Sequence, residues 1–304
     1  MADETRLHAL GWHELAAVYH RHTRWSDASG DEATREHTAA AEARRLDEHV
    51  ARQGPLPPHF VRHNGPLLPL EMPSAGALDT VLRRRETVRR FRVDRVLPRA
   101  EFERVLHGSF GVIGLRDLGG GMAAIKRTSP SGGGLTAIEP YVMALRVEGV
   151  PSGLYHYRAD VHALTLLEAL DEAEARQRLG RYCAGQDYFG DSHAAILHLA
   201  RFDRHFWKYI RHGKAYKAVL MDSAHLSQTL YMLATEAGLG AWYTAIVNDI
   251  DIAADLCFDP LEADVVAING FGIADTERRD LSFHHAAHDP LRVRQRLASE
   301  NQEA

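Results

Sequence analysis

The feature that most constrains the fold is the segment 217–240, KAVLMDSAHLSQTLYMLATEAGLG. Apolar side chains recur in it at helical spacing: Val219, Leu226, Leu230 and Leu233. A helix that is apolar nearly all round must be covered on most sides, so the segment predicts a central helix that ends near Gly238. Its small residues would let a neighbouring helix or a second subunit approach closely: Ser223, Ala224, Ser227 and Ala234.

Extended segments surround this helix. Residues 153–167 read as a hairpin that turns at Arg158-Ala159-Asp160, and residues 193–202 read as a fully buried strand. Two more strands are predicted at 241–247 and 264–272, and helices at 77–90 and 98–110. Interspersed helices and strands with a hairpin predict an α+β fold with a mixed or antiparallel central sheet flanked by helices. A strand–GxGxxG–helix unit is missing, which argues against a dinucleotide-binding Rossmann domain.

Composition narrows the class of protein. The chain has 304 residues, 45% hydrophobic and 25% charged, as in ordinary soluble globular proteins. A helical and proline-rich extension, residues 1–76, is predicted to precede one larger domain, residues 77–304. The net charge of −5 argues against nonspecific nucleic-acid binding. The 19 histidines lack convincing zinc-ligand spacing, so no metal site is expected, and those next to arginines read as surface and interface residues.

The cellular location of the protein is predicted from its cysteines and from its apolar segments. Cys183 and Cys257 are isolated, which fits a reducing compartment. The first residues lack a basic region followed by a long apolar run, so no secretory signal is expected. The sequence contains no run of about 18 apolar residues, so no membrane-spanning helix is expected. These signals predict a cytoplasmic protein without a membrane partner.

The densest charge cluster is RRRETVRRFRVDRVLPR, residues 83–99, with eight arginines. A nucleic-acid patch is one interpretation, but no aromatic platform accompanies it. A solvated helix face is another. The third is phosphate binding, because guanidinium groups bind phosphate oxygens bidentately and a hydroxyl adds a further contact. Arg85, Thr87 and Arg89 alternate, so they would face one ligand if the chain is extended there.

The loop RTSPSGGG, residues 127–134, is rich in glycine and hydroxyl groups. Loops of this composition let backbone N–H groups approach a ligand. The Gly-Lys-Ser/Thr ending of a nucleotide P-loop is missing, so a nucleoside triphosphate is not the expected ligand.

Taken together, these segments resemble the FMN-dependent nitroreductase superfamily. Arg-x-Thr-x-Arg-x-Phe at the end of a helix is similar to its opening Arg-x-Ser-x-Arg/Lys-x-Phe signature, with Thr87 in place of the usual serine. SPSGGG, GLYHYR, WKY and the helix that ends in GLG resemble, in the same order, segments of its SagB-type dehydrogenase branch, which includes the azoline oxidases of peptide maturation. The resemblance covers residues 77–275.

This resemblance implies a homodimer with FMN at the subunit interface. It assigns Arg85, Thr87 and Arg89 to the flavin phosphate and ribityl chain, and Arg279 or its neighbour Arg278 to a further phosphate contact. Other implied flavin contacts are Thr244 and Ala245, together with Ser129, Ser131 and Gly132, which often come from the partner chain. Related nicotinamide-using enzymes often carry Glu-Gly where this chain has Ala245-Ile246, which argues against efficient use of NAD(P)H.

Lys208 and Tyr209 are the predicted catalytic residues. In the azoline oxidases an adjacent Lys-Tyr pair serves the proton transfer, and here the pair follows Trp207. A tyrosine acts as a base only where a nearby cation lowers its pKa from about 10. Adjacent residues point to opposite faces of a strand, so a turn must bring both to one site. The alternative is that both are ordinary residues of an exposed loop.

The leading hypothesis is therefore an FMN-dependent oxidoreductase in the maturation of a ribosomally synthesised peptide. It would oxidise an azoline to an azole, and O2 would reoxidise the flavin. The expected partners are the precursor peptide, a second copy of the chain and a cyclodehydratase. Two alternatives stay open: an NAD(P)H-dependent reductase of nitro compounds, quinones or dehydroamino acids, and a non-catalytic scaffold of a peptide-modifying complex.

Overall fold

The structure is a computed structural model that describes residues 2–26, 39–55, 57, 60, 65–66, 68–71 and 74–277. Its helices are α1 (Ala2–Ala9), α2 (Glu14–Thr23), α3 (Ala39–Gln53), α4 (Ala77–Arg84), α5 (Arg99–Phe110), α6 (Glu172–Tyr182), α7 (Phe202–Lys208), α8 (Gly213–Glu236) and α9 (Asp249–Asp255). Its strands are β1 (Gly114–Gly119), β2 (Met122–Lys126), β3 (Ile138–Ala144), β4 (Gly153–Arg158), β5 (Ala163–Ala169), β6 (Ala194–Arg201), β7 (Gly240–Thr244) and β8 (Ala263–Gly272).

Six strands form one sheet in the order β5-β4-β3-β6-β8-β7, and all neighbours pair antiparallel. β6 and β8 are interior strands of the sheet and are buried along almost their whole length. Burial on both faces explains why their sequences are continuous apolar runs without strict alternation. The predicted α+β fold is confirmed, and the sheet is the antiparallel variant.

Helices cover both faces of the sheet. On one face, Phe102 of α5 and Leu230 of α8 pack against Val142 of β3. On the other, Leu179 of α6 and Ile252 of α9 belong to a second apolar cluster. Successive strand residues supply the two clusters in turn because their side chains point to opposite faces. The central helix predicted from the sequence is α8, which carries one long exposed stripe as well as its buried sides.

One predicted helix was wrong in its extent. The helix expected over 77–90 ends at Arg84, and the chain then runs extended. Thr87 forms a bridge with Ala241 of edge strand β7, and the Val88 N–H donates to the Ala241 carbonyl at 2.8 Å. Two β-branched residues favour extended backbone, and the edge strand offers unpaired groups to bind. The hairpin β1–β2, which turns at residues 120–121, was not predicted.

The N-terminal helices pack directly on the sheet domain. Trp12 is buried, and its indole N–H donates to the Leu261 carbonyl at 2.8 Å. Arg24 Nε donates to Asp264 Oδ2 at 2.6 Å, with His20 Nε2 3.5 Å from the same oxygen. These contacts tie residues 2–26 to the end of the sheet where β8 begins. The domain boundary at residue 76 stays a prediction.

Candidate active site

Arg85, Thr87 and Arg89 lie around one tyrosine of the central helix. Thr87 Oγ1 and Tyr231 Oη share a hydrogen bond of 3.2 Å, and Arg85 Cζ lies 5.4 Å from the centroid of the Tyr231 ring. Burial raises the pKa of Tyr231, and the charges of Arg85 and Arg89 oppose that shift. We call these four residues the phosphate cluster. The sequence analysis did not identify Tyr231, because local spacing gives no sign of a contact with a residue 144 positions away.

The charges of this cluster are available to a ligand. Within the described part of the chain, Arg85 and Arg89 form no ion pair with a carboxylate, and both are half-buried. Elsewhere in the arginine-rich segment, Arg92 pairs with Asp94 and Arg99 with Glu103. Two uncompensated guanidinium groups beside a hydroxyl suit the oxygens of a phosphate.

The glycine-rich loop is fixed to the central helix by one carboxylate. The Ser131 hydroxyl donates to Asp222 Oδ2 at 2.5 Å, and the Gly132 N–H donates to Asp222 Oδ1 at 2.8 Å. The Ser131 hydroxyl also accepts from the Thr136 N–H at 2.8 Å, and Ser129 Oγ lies 2.6 Å from Thr229 Oγ1. Asp222 is 2% exposed. The two serine hydroxyls predicted to contact flavin therefore hold the loop against their own chain.

The loop lies against the predicted catalytic pair. A Cβ atom placed on Gly133 would lie 2.7 Å from Tyr209 Oη and 3.2 Å from Lys208 Nζ. A Cβ atom on Gly132 would lie 2.8 Å from His205 Nε2. Gly133 also has φ +65°, a conformation that favours glycine. Only a loop without side chains approaches α7 this closely.

Lys208 and Tyr209 stand at the end of a short helix. Lys208 is the last residue of α7 and Tyr209 is its C-cap. The helix end turns both side chains towards one region, and Lys208 Nζ lies 5.6 Å from the Tyr209 ring centroid. Lys208 is exposed and Tyr209 is half-buried. We call these two residues, together with Ser131, Gly132 and Gly133, the loop cluster.

His205 lies beneath the loop, one turn before Tyr209. It is 0% exposed, and its Nε2 lies 3.5 Å from Asp222 Oδ2. Burial lowers the pKa of His205, and the Asp222 carboxylate opposes that shift. The interpretation of this histidine as a surface or interface residue was wrong, because α7 turns it inward against the loop.

The remaining predicted flavin contacts lie at the end of β7, just after it, or outside the described residues. Thr244 ends β7, is nearly buried, and its Oγ1 accepts from the Ile246 N–H at 3.1 Å. Ala245 follows and is exposed. Arg278 and Arg279 lie outside the described residues.

A separate cavity of about 740 Å³ opens where β3, β4 and β6 meet. Arg127, Glu139, Tyr141 and His156 line it, and none of the residues predicted for flavin binding or proton transfer does. Its lining combines opposite charges, with His156 Nε2 3.6 Å from Glu139 Oε2.

Two kinds of feature are absent from the described residues. In this part of the chain, no group of three or more His, Cys, Asp or Glu side chains is placed so that it could bind a metal ion. None of its helices combines the length and the apolar content needed to cross a bilayer.

Residues 82–273 match the Nitroreductase family, which is more than half of the chain, so the protein belongs to that family. Among curated relatives, the nitroreductase-like protein MJ1384 of Methanocaldococcus jannaschii is 28% identical over 58% of this chain and 81% of its own. The trifolitoxin-processing protein TfxB of Rhizobium leguminosarum bv. trifolii is 29% identical over 45% of this chain. The chain spans only 36% of TfxB.

Solved structures agree on the fold. A nitroreductase-like protein from Ralstonia eutropha superposes with a TM-score of 0.53 and 24% identity, over 69% of this chain and 89% of its own. A chain of the E. coli microcin synthetase McbBCD complex, solved with truncated pro-MccB17 bound, gives a TM-score of 0.52 at 21% identity. That match covers 80% of this chain and 97% of the other.

Proposed function

We propose that the protein is an FMN-dependent dehydrogenase that acts in the maturation of a ribosomally synthesised peptide. The reaction would be the two-electron oxidation of an azoline to an azole. The observation that carries this proposal is the contact of Gly133 with Lys208 and Tyr209. In this contact, loop backbone without a side chain lies directly against the ammonium group of Lys208 and the phenol of Tyr209.

The phosphate cluster suits FMN. Arg85 and Arg89 offer two guanidinium groups, and Thr87 offers a hydroxyl beside them. Arg279, Thr244 and Ala245 are the further contacts that we assign to the cofactor. When bound, FMN supplies the acceptor for a hydride equivalent, and O2 would restore its oxidised form.

The loop cluster would handle the proton. The phenolate form of Tyr209, stabilised by the ammonium group of Lys208, would take the Cα proton of the substrate and become the neutral phenol. Because Gly133 has no side chain, the loop backbone lies directly against this pair and would help to hold it in position. The exposed position of Lys208 suits a substrate that arrives from solvent.

The peptide assignment draws on two relatives. TfxB is named as a trifolitoxin-processing protein, and a chain of similar fold belongs to a microcin synthetase complex with a bound truncated pro-peptide. Both names concern peptide processing, which supports a precursor peptide as substrate and a cyclodehydratase as a partner. The likeness to MJ1384 favours the alternative, a reductase.

Mass spectrometry of the cognate precursor peptide tests the proposal. Incubation with the FMN-loaded protein and O2 should remove two hydrogens from a cyclised residue. Tyr209→Phe and Lys208→Ala should each abolish most of that product, whereas Trp207→Phe, at the exposed neighbour, should not. Product formation that survives both changes would contradict the proton-transfer roles. Rapid bleaching of the flavin by NAD(P)H with an unchanged peptide would identify the reductase instead.

A further inference from the structure

We propose that the cavity where β3, β4 and β6 meet is a second ligand site, which binds the carboxylate of an amino acid or of a peptide C-terminus on Arg127. Glu139 would accept the neighbouring N–H of that ligand, and Tyr141 and Phe258 would pack against its side chain. The inference goes beyond the proposed function, because none of the described residues assigned to FMN or to proton transfer lines this cavity.

Arg127 is a buried cation of the cavity lining without a counter-ion. The residue is 6% exposed, and its Nη1 donates to the Ile138 carbonyl at 2.7 Å. Its Nε is buried without a hydrogen-bond partner, and within the described part of the chain Arg127 forms no ion pair. Burial lowers the pKa of Arg127, and the charge of Glu139 opposes that shift. A guanidinium group has five N–H donors, so a bound carboxylate would satisfy donors that the protein leaves unpaired.

The two other arginines of the cavity are neutralised by their own neighbours. Arg158 Nη2 lies 2.6 Å from Asp160 Oδ2, and Arg201 Nη2 lies 2.7 Å from Asp203 Oδ2. Both pairs are exposed to solvent, where an ion pair contributes little to stability. The unpaired positive charge of the cavity is therefore the buried one of Arg127, which water screens least.

Glu139 places a carboxylate close to the position that Arg127 occupies. The Ile138 carbonyl accepts from Arg127, and Glu139 is the next residue of β3. Glu139 Oε2 lies 3.6 Å from His156 Nε2, and the Glu139 side chain is 26% exposed. An amino acid carries its carboxylate and its nitrogen on one carbon, so a cation and an acceptor this near each other suit both groups. The acceptor would take an ammonium N–H of a free amino acid or the amide N–H of a peptide end.

Aromatic rings form an apolar wall beside these charges. The Tyr141 ring lies 5.0 Å from the His156 ring and 5.5 Å from the Phe258 ring, measured between centroids. Tyr141 and Phe258 are half-buried, so part of each side chain stays accessible to a ligand. An apolar wall with a few polar groups is the usual composition of a small-molecule site, and the volume of about 740 Å³ has room for an amino acid with a large side chain.

Binding calorimetry on the full chain with four related probes tests the assignment. Phenylalanine has a carboxylate and an ammonium group, N-acetylphenylalanine keeps only the carboxylate, phenethylamine keeps only the ammonium group, and N-acetylphenylalaninamide has neither charge. The two carboxylates should bind with a Kd of about 1 mM or below, and the other two about tenfold more weakly or worse. Tighter binding of phenylalanine would identify a free amino acid as the source of the ligand, and tighter binding of N-acetylphenylalanine a peptide end. Failure of both carboxylates to bind, or equal binding of the uncharged amide, would overturn the site.

Single variants locate the bound probe. Arg127→Gln should weaken binding of phenylalanine about tenfold or more, because a charged hydrogen-bonded pair is lost. Arg158→Gln is the matched control, since Arg158 already pairs with Asp160 and should leave the affinity nearly unchanged. Glu139→Gln should weaken binding of phenylalanine more than that of N-acetylphenylalanine, because a neutral oxygen still accepts an amide N–H. This second comparison decides the question if Arg127→Gln does not fold. Full affinity in Arg127→Gln, or equal losses for the two probes in Glu139→Gln, would contradict the proposal.

Competition with FMN keeps this site distinct from the proposed function. The probes should bind equally well with and without saturating FMN, because the described flavin residues lie outside the cavity. Displacement of the probes by FMN would place them in the flavin site and overturn the inference. A protein that does not bind FMN would refute the proposed function and leave the binding of the probes measurable.

Discussion

The Ser131 hydroxyl donates a hydrogen bond of 2.5 Å to Asp222, 91 residues further along the chain. The same carboxylate accepts from the Gly132 N–H, so its two oxygens hold two successive residues of the loop. Because Gly133 follows and lies against Lys208 and Tyr209, Asp222 sets the position of the loop beside these two residues. Asp222 itself is a positioning residue.

Removal of the carboxylate should loosen the loop. Asp222→Ala leaves the half-buried Gly132 N–H and the Ser131 hydroxyl without their acceptor, which should cost about 2 kcal/mol of unfolding free energy. Ser131→Ala removes one of these bonds and should cost roughly 1 kcal/mol. Urea unfolding measures both values. The double variant should cost less than the sum of the two, and strict additivity would contradict the direct bond.

Alanine variants at two neighbouring glycines should distinguish the effect of backbone strain from that of steric crowding. Gly133 and Gly134 both have positive φ, but a Cβ atom would clash only at Gly133, with Tyr209 and Lys208. Both alanine variants should lose about 1 kcal/mol of stability through strain. Only Gly133→Ala should also lower kcat for peptide oxidation, by displacing the pair. Equal kcat values in the two variants would place the loop away from the reaction.

The phosphate cluster can be tested against a paired arginine of the same segment. Arg85→Ala should weaken FMN binding by about tenfold or more, because a guanidinium–phosphate contact is lost. Arg92→Ala is the control, since Arg92 already pairs with Asp94 and should leave the affinity nearly unchanged. Quenching of flavin fluorescence measures both. We expect Ser131→Ala to weaken FMN binding only modestly. A loss of affinity equal to that of Arg85→Ala would contradict the assignment of the phosphate to the arginine segment.

A buried histidine should make the fold sensitive to acid. Burial lowers the pKa of His198 from 6.5 to about 3, with a smaller opposing effect from Asn269. Between these values the unfolded chain binds a proton that the folded chain does not, so stability is lost as the pH falls below about 6.5. This group alone contributes a slope of up to about 1.4 kcal/mol per pH unit.

The slope can be measured by urea unfolding at pH 7 and pH 5. His198→Gln removes the titrating group and should reduce the difference in stability between the two pH values, whatever its effect on absolute stability. His20 and His193 add to the wild-type slope in the same direction, since burial lowers the pKa of each to about 4. An unchanged slope in His198→Gln would show that this ring is protonated in the folded protein.

Much of the fold was predictable because its signals are local. The helical spacing of 217–240 predicted α8, the turn at Arg158-Ala159-Asp160 predicted the β4–β5 hairpin, and two apolar runs predicted β6 and β8. The extent of α4 could not be predicted from local signals. The helix ends at Arg84 because Thr87 pairs with Ala241, on a strand edge more than 150 residues away. Local periodicity carries no information about such a partner.

The sequence by itself determined which kinds of residue are present for the site: an alternating arginine and hydroxyl segment, a glycine-rich loop and a Lys-Tyr pair. Only the tertiary structure decided how they are grouped. It joined Tyr231 to Arg85 and Thr87, and it turned His205 inward beneath the loop. It also attached the loop to Asp222 and the arginine segment to Tyr231, two positions of the same helix α8. These relationships depend on how the long helix is rotated against the sheet and its neighbours, which the packing of the whole core fixes and no short segment encodes.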